Sequence, residues 1–145
     1  MDNLDYDYCF KKNIHVIATS PVFSKPVAEI ALGMTLSLLR NIHNAHFDFI
    51  KSKEKYGLES NLQASLLTNK KIGLLGFGDL AKSLYPLLLP FTKNINVYDP
   101  WIPKNKIKKI GFNPINLNKM FSSCEVIYVL ATITKKNKHL IDKEL

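Results

Sequence analysis

Six consecutive residues, Gly76-Phe77-Gly78-Asp79-Leu80-Ala81, form a G-x-G-x-x-A loop, and Asp99 follows Ala81 after 17 intervening residues. Each residue type has a task in phosphate chemistry. Gly76 permits a tight turn, Gly78 lets the backbone approach a pyrophosphate, and the small Ala81 lets a helix lie close on the preceding strand. The N-terminus of that helix offers unpaired N–H groups and a partial positive charge to an anion. A carboxylate at the end of the next strand is placed to bond ribose hydroxyls, and Asp99 stands there. Loop and acid together point to dinucleotide binding. The plainer reading of the same residues is a glycine turn with an aspartate cap.

These residues act only if regular elements hold them. Lys71-Ile72-Gly73-Leu74-Leu75 reads as a buried strand, and Asp79 to Phe91 as a helix with Ala81, Leu84, Leu87 and Leu88 on its apolar side. Ile95 to Tyr98 is a second strand, stopped by Asp99-Pro100. A weaker strand is expected near Gly111-Phe112, a short helix from Leu117 to Ser122, and another buried strand from Glu125 to Leu130. This alternation specifies an α/β fold, a doubly wound parallel sheet with right-handed crossovers. Upstream, Ile14 to Ile17 belong to a β-prone run that ends at Thr19-Ser20-Pro21. A long helix is expected after Ser24, with Pro26 in its first turn and Glu29 near its positive end, running to about residue 42. Its apolar residues fall on more than one side, the pattern of a helix buried between two bodies. Residues 44–69 read as a helix tail and connector, and residues 142–145 as the opening of a further helix.

Composition narrows the class. The 145 residues are 46% hydrophobic and 22% charged, with a mean hydropathy of -0.04, as in an ordinary globular chain rather than a disordered or collagen-like one. The longest apolar run, around Leu84 to Phe91, is broken by Pro86 and Pro90, so no membrane span is expected. The first residues carry Asp2, Asp5 and Asp7 and no basic residue, unlike a secretory signal. Two distant cysteines, Cys9 and Cys124, fit a reducing compartment, and a cytoplasmic location is expected. The net charge of +8 comes from lysines, with Arg40 the one arginine. Arginine is the usual reader of phosphates and base edges, and scattered lysines describe a solvated surface, so no nucleic-acid partner is expected.

Other tempting side chains have plainer roles. His43 and His46 are three apart on a helix but have no third metal ligand beside them, and no metal site is expected. His15 reads as a packed or edge residue of the β-run, Cys124 as a small hydrophobe, and Arg40 and Glu29 as interdomain or subunit contacts.

Several segments resemble one family. Asp2-Asn3-Leu4-Asp5 is similar to a D-N-[IV]-D segment, Ile14-His15-Val16 to the strand after it, and Pro26-Val27-Ala28-Glu29 with Arg40 to a V-A-E…R helix joining two domains. Ile72 to Gly78 resembles V-G-I-x-G-x-G, Tyr98-Asp99-Pro100 the Y-D-P after the second strand, and Thr134 with His139-Leu140-Ile141 a P-L-T-x-x-T-x-x-L-I stretch. These are features of the D-isomer-specific 2-hydroxyacid dehydrogenases, a family that includes phosphoglycerate dehydrogenase and glyoxylate/hydroxypyruvate reductase.

The resemblance implies a Rossmann domain that binds NAD through Gly76, Phe77, Gly78, Asp79, Leu80 and Ala81 at the pyrophosphate. It places Tyr98, Asp99 and Pro100 at the ribose, and Ala131 and Thr132 on the adenosine side. It implies a 2-hydroxy or 2-keto acid as substrate of the full-length parent, and a homodimer. Residues 1–23 become a remnant of the substrate-binding domain and residues 24–145 the NAD-binding domain, incomplete at its C-terminal end. The family's catalytic arginine, glutamate and histidine match no residue here, and His139 corresponds to no catalytic position. The chain is therefore expected to be the central piece of a dehydrogenase, inactive alone. A non-catalytic nucleotide-binding or dimerisation module is the alternative.

Departures from the family pattern are local. Asp79 stands where arginine or another residue friendly to phosphate is usual, and its carboxylate would repel a pyrophosphate or cap the helix. Thr132 replaces the proline of P-L-T, Asn137 the second threonine, and Ser20-Pro21-Val22-Phe23 a proline-glycine loop.

Overall fold

Ile72–Leu75 are all buried, Ile72 and Leu74 completely, and they form the central strand of the sheet. In the computed structural model, which describes residues 4–17, 19–134 and 137–142, this strand, β1, is paired in parallel on both sides. Ile72 lies opposite Ile95 of β2 (Ile95–Tyr98) and Val126 of β4 (Val126–Val129). A two-residue β3 (Asn113–Pro114) continues the sheet beyond β2, giving the order β3-β2-β1-β4. A strand hydrogen-bonded on both edges and buried on both faces has to be apolar throughout, as β1 is. The fold class is α/β, with a doubly wound parallel arrangement.

Helices close the crossovers. α4 (Asp79–Leu88) buries Ala81, Leu84 and Leu88, one face of a 3.6-residue period. It stops before Pro90, which has no N–H with which to continue it. α5 (Lys104–Lys109) links β2 to β3 and buries Ile107 alone. α6 (Leu117–Ser123) starts at Asn116, whose side chain accepts the Lys119 N–H at 2.8 Å, and buries Met120. The core joins Leu74, Phe77, Leu84, Leu88, Ile95 and Val97 with Ala28 from further upstream. Each fully buried leucine or isoleucine contributes about 1.5–3 kcal/mol.

The N-terminal third differs from its sequence reading. Ile14 to Ile17 form no strand and are exposed; they find no partner edge among the described residues. Ahead of them lies an unanticipated α1 (Tyr6–Lys11), capped by Asp5, which accepts the Tyr8 N–H at 2.9 Å. The long helix, α2 (Ser20–Leu39), begins four residues before Ser24, because Pro21 fits a first-turn position. The boundary drawn after residue 23 thus falls within its first turn. A shorter α3 (Ile42–Ile50) follows Asn41, whose φ of 56° breaks the helix.

Two expectations about α2 are corrected. It is 20 residues long and, by length and composition alone, able to cross a bilayer. Counting uninterrupted apolar runs misses this, because serine, proline, threonine and single charges at Lys25 and Glu29 divide the run. It is also covered on one face only. Ser24, Ala28 and Thr35 are buried, whereas Ile30, Met34 and Leu38 are 62%, 61% and 66% exposed. Polar bonds attach the covered face to the α/β layer: Ser83 Oγ donates to Ser24 Oγ at 2.9 Å, and the Thr35 hydroxyl lies 2.8 Å from that of Tyr128 on β4. Residues 143–145 of the expected terminal helix, and Asp2 and Asn3 of the D-N-[IV]-D likeness, lie outside the described residues.

Glu125 joins the start of β4 to β1, accepting from Lys70 Nζ at 2.8 Å and from the Lys71 N–H at 2.9 Å. The Lys70 bond first, then the Lys71 amide, hold its carboxyl below the ordinary 4.5. A lowered folded-state pKa gives stability that is fully present above the unfolded value and is lost as pH falls through the folded one. Urea unfolding of the chain and Glu125→Ala should therefore differ at pH 6 and converge toward pH 3. An equal gap at both pH values would contradict this.

Candidate functional site

The carboxyl ends of β1 and β4 open where the strand order reverses, because the connections from β1 and to β4 leave in opposite directions. The first wall is the turn after β1. Gly76 donates its N–H to the Tyr98 carbonyl at 2.8 Å and has φ +92°. A Cβ there would lie 2.9 Å from both Cα and N of Ala131, so the position admits only glycine on two counts. Phe77 turns its ring into the core, 5.6 Å from the Phe112 ring and 6.0 Å from that of Tyr85. Gly78 is the N-cap of α4 and is open: a Cβ there would meet nothing within 4 Å, and no side chain caps the helix. The first-turn amides of α4 are thus available to an anion.

The second wall is the turn after β2. Asp99 Oδ2 accepts the Phe77 N–H at 2.8 Å, and Oδ1 accepts the N–H groups of Trp101 at 2.8 Å and Ile102 at 3.2 Å. A carboxylate has about four acceptor positions, so about one remains for a ligand hydroxyl. The third wall follows β4, where Asn137 Nδ2 donates to the Thr132 carbonyl at 2.8 Å and the Asn137 N–H to Thr134 Oγ1 at 3.3 Å. The three walls enclose a crevice of about 440 Å³.

Gly76, Phe77, Gly78, Tyr98, Asp99, Pro100, Ala131 and Thr132 line this crevice; Asp79, Leu80 and Ala81 are not among its lining residues. Ala81 is fully buried and acts in packing α4 on the sheet. Asp79 points elsewhere: Oδ2 accepts from Ser20 Oγ at 3.2 Å, and Oδ1 is 3.9 Å from Lys82 Nζ. The cap reading for Asp79 is corrected, since Gly78 occupies the N-cap, Asp79 is already helical and no side chain caps the helix. Trp101, Asn137, Leu130 and Leu140 also line the crevice, unforeseen, beside Leu75 and Thr134. Asn137 had a signal, as a departure from the family threonine.

The other candidates stay apart. His15 and His139 are exposed, His43 Nδ1 is 3.4 Å from the Ser37 carbonyl, and Arg40 donates to Asn61 Oδ1 at 3.0 Å. Burial pushes the Cys124 thiol up, against the pull of Lys71. Among the described residues no three metal-ligating side chains come together. The lysines are less dispersed than the sequence suggests: Lys71, Lys104 and Lys119 share a polar hollow of about 450 Å³ beside β3.

An uncapped helix behind a glycine turn, an acid closing the next strand, and a crevice at the strand-order reversal define a nucleotide-binding Rossmann-type domain. The model of one family, D-isomer specific 2-hydroxyacid dehydrogenase, NAD binding domain, matches residues 32–145, and the chain belongs to that family. It is 29% identical to the D-3-phosphoglycerate dehydrogenase of Bacillus subtilis over 144 residues, which are 99% of this chain and 27% of that protein. It is 28% identical to the hydroxypyruvate reductase of Thermotoga maritima, over 99% of this chain and 45% of that one. Among solved structures, a phosphoglycerate oxidoreductase from Rhizobium etli superposes with a TM-score of 0.79 at 40% identity, covering 89% of this chain and 43% of that one. An NAD-dependent formate dehydrogenase from Staphylococcus aureus, in complex with NAD, gives 0.77 at 28% identity, covering 99% and 42%. The chain spans between about a quarter and under half of these relatives.

Gly76→Ala should cost at least the roughly 1–2 kcal/mol of an L-residue at positive φ, with the Ala131 clash added. Gly78→Ala should leave the melting temperature within a degree or two. Thermal melts of the two variants test the pair, and equal losses would refute the assignment of their roles.

Proposed function

We propose that the chain holds NAD(H) across this crevice, as the cofactor-binding part of a dehydrogenase acting on 2-hydroxy acids. The observation that carries the reading is the convergence of the Gly78 opening, the uncapped start of α4 and Asp99 on one crevice. The α4 amides would hold the pyrophosphate, Asp99 the adenosine ribose, and Ala131 and Thr132 the adenosine side. The nicotinamide, when bound, supplies the hydride exchanged with C2 of the acid, and this chain's residues bind and orient it. The names of the relatives support a 2-hydroxy or 2-keto acid as substrate of the whole protein. Residues 1–23 would belong to its substrate-binding body.

No histidine or arginine is among the crevice's lining residues. Reduction of a 2-keto acid needs a positioned proton donor, and the family's catalytic arginine, glutamate and histidine match no residue here, so we infer that the chain alone does not turn over. The same observation favours a second reading, a non-catalytic nucleotide-binding or dimerisation module. A homodimer is part of the proposal, with the exposed stripe of Ile30, Met34 and Leu38 as the surface a second copy would cover. Sedimentation as a monomer at every concentration would contradict it. The free thiols of Cys9 and Cys124 support a cytoplasmic setting; recovery from cells in a membrane fraction would refute that.

NADH should bind at least tenfold more tightly than NADPH, because a 2′-phosphate would meet the Asp99 carboxylate; tenfold corresponds to about 1.4 kcal/mol. NADH fluorescence titration measures this, and equal or tighter NADPH binding would overturn the cofactor assignment. Mixed with glyoxylate or hydroxypyruvate, the chain should oxidise no NADH. A rate abolished by His139→Gln would restore that residue as a catalyst.

A further inference from the structure

Asn96 is a polar residue inside a buried strand, between Ile95 and Val97, and it is only 4% exposed. Burying an amide costs free energy unless its polar atoms find partners. Its Nδ2 donates to the Ile72 carbonyl at 3.1 Å and to Asn94 Oδ1 at 3.3 Å. Among the described residues nothing donates to its Oδ1. Residues in register across a parallel sheet face the same layer, so Gly73, Asn96 and Asn113 form one row on the side of α6. That row runs into the hollow of about 450 Å³ beside β3, and Asn96 is the buried member of its lining.

Three lysines from separate elements meet in the same hollow: Lys71 precedes β1, Lys104 opens α5 and Lys119 lies on α6. Lys71 Nζ donates to Ser123 Oγ at 3.0 Å, and its other hydrogens remain to be used. Lys104 and Lys119 form no ion pair among the described residues. No carboxylate lines the hollow. Glu125, which takes the Lys71 N–H, is already matched by Lys70 at 2.8 Å. Charges of one sign in a concavity focus a field that draws in a counter-ion.

We propose that this hollow is a second ligand site, for a small phosphomonoester that carries hydroxyl groups, of the sugar-phosphate class. Lysine meets phosphate as a point charge, and three lysines exceed the need of a single carboxylate but suit a phosphate dianion. The open Oδ1 of Asn96 can only accept, so it calls for a hydroxyl on the same ligand. The site is separate from the nucleotide crevice, with which it shares no lining residue.

Ribose 5-phosphate is the probe, titrated into the full chain and followed by amide NMR. It should shift the signals of residues 113–119 and leave those of residues 76–79 in place, and saturating NADH should not displace it. By calorimetry, Lys104→Gln and Lys119→Gln should each weaken its binding about three- to tenfold. Both side chains belong to exposed residues, so neither variant threatens the fold. Lys93→Gln, an exposed lysine outside the hollow, should change nothing. Inorganic phosphate, which brings no sugar hydroxyl, should bind about two- to tenfold more weakly. Absence of binding, or an equal loss in Lys93→Gln, would overturn the site. Displacement by NADH, with shifts confined to residues 76–79, would assign the anion to the crevice and overturn it too. Equal binding of inorganic phosphate would remove the Asn96 contact and with it the ligand class. A single-stranded oligonucleotide that outcompetes the sugar phosphate would make the hollow part of a nucleic-acid face instead. The shift map does not depend on NADH binding, so this proposal and the dinucleotide reading fail separately.

Discussion

The carboxylate of Asp99 joins two turns that would otherwise move independently. One oxygen takes the amide of Phe77 inside the glycine turn, and the other takes the amides of Trp101 and Ile102 beyond β2. Bonds from amides to an ionised acceptor are roughly twice as strong as neutral ones. The ring of Phe77, packed with Tyr85 and Phe112, holds the same turn from the core side. The mouth of the crevice therefore has its shape before any ligand arrives. Asp99 organises both turns, and its acceptor positions are nearly all committed within the fold.

A second dependence runs through α2. The helix is apolar, yet its attachment to the α/β layer is specified by polar atoms. Thr35 Oγ1 lies 2.8 Å from both the Ala31 carbonyl and the Tyr128 hydroxyl. With one proton, it donates to the carbonyl, which can only accept, and accepts from Tyr128. Ser24 meets Ser83 on α4, and Ser20 meets Asp79. Apolar burial has no direction, whereas hydrogen bonds fix rotation and register. Asp79, which follows the glycine turn in the sequence, is thus drawn toward α2.

Legibility in the sequence follows the number of independent constraints on each segment. β1 and β4 are readable because continuous apolar runs bounded by turn residues have few alternatives, β2 because Ile95 and Val97 alternate around Asn96 before the Asp99-Pro100 stop, and the glycine loop because its backbone geometry excludes other residues. α5 is unreadable because Ile107 is its single buried side chain, so no period exists to detect. α1 has an aspartate cap and little else. The Ile14 to Ile17 run shows the reverse error: β propensity without a partner strand makes no strand. Trp101 and Asn137 enter the crevice through the geometry of turns, which residue type alone does not encode.

The crevice itself follows from four residues. Along β1 successive side chains face opposite layers. Gly73 faces α6, where a Cβ would lie 2.8 Å from Met120 Cγ. Ile72 and Leu74 therefore face the other layer, and both are completely buried. Glycine lets α6 approach on one side, while branched side chains set the spacing on the other. A chain that leaves β1 toward β2 and returns from β3 to β4 by right-handed crossovers must place its helices on opposite faces of the sheet. The two layers then part at the carboxyl end of β1, and neither connection covers the gap. Ile-Gly-Leu-Leu thus fixes where both layers lie, and the Gly76 turn that follows opens into the space between them.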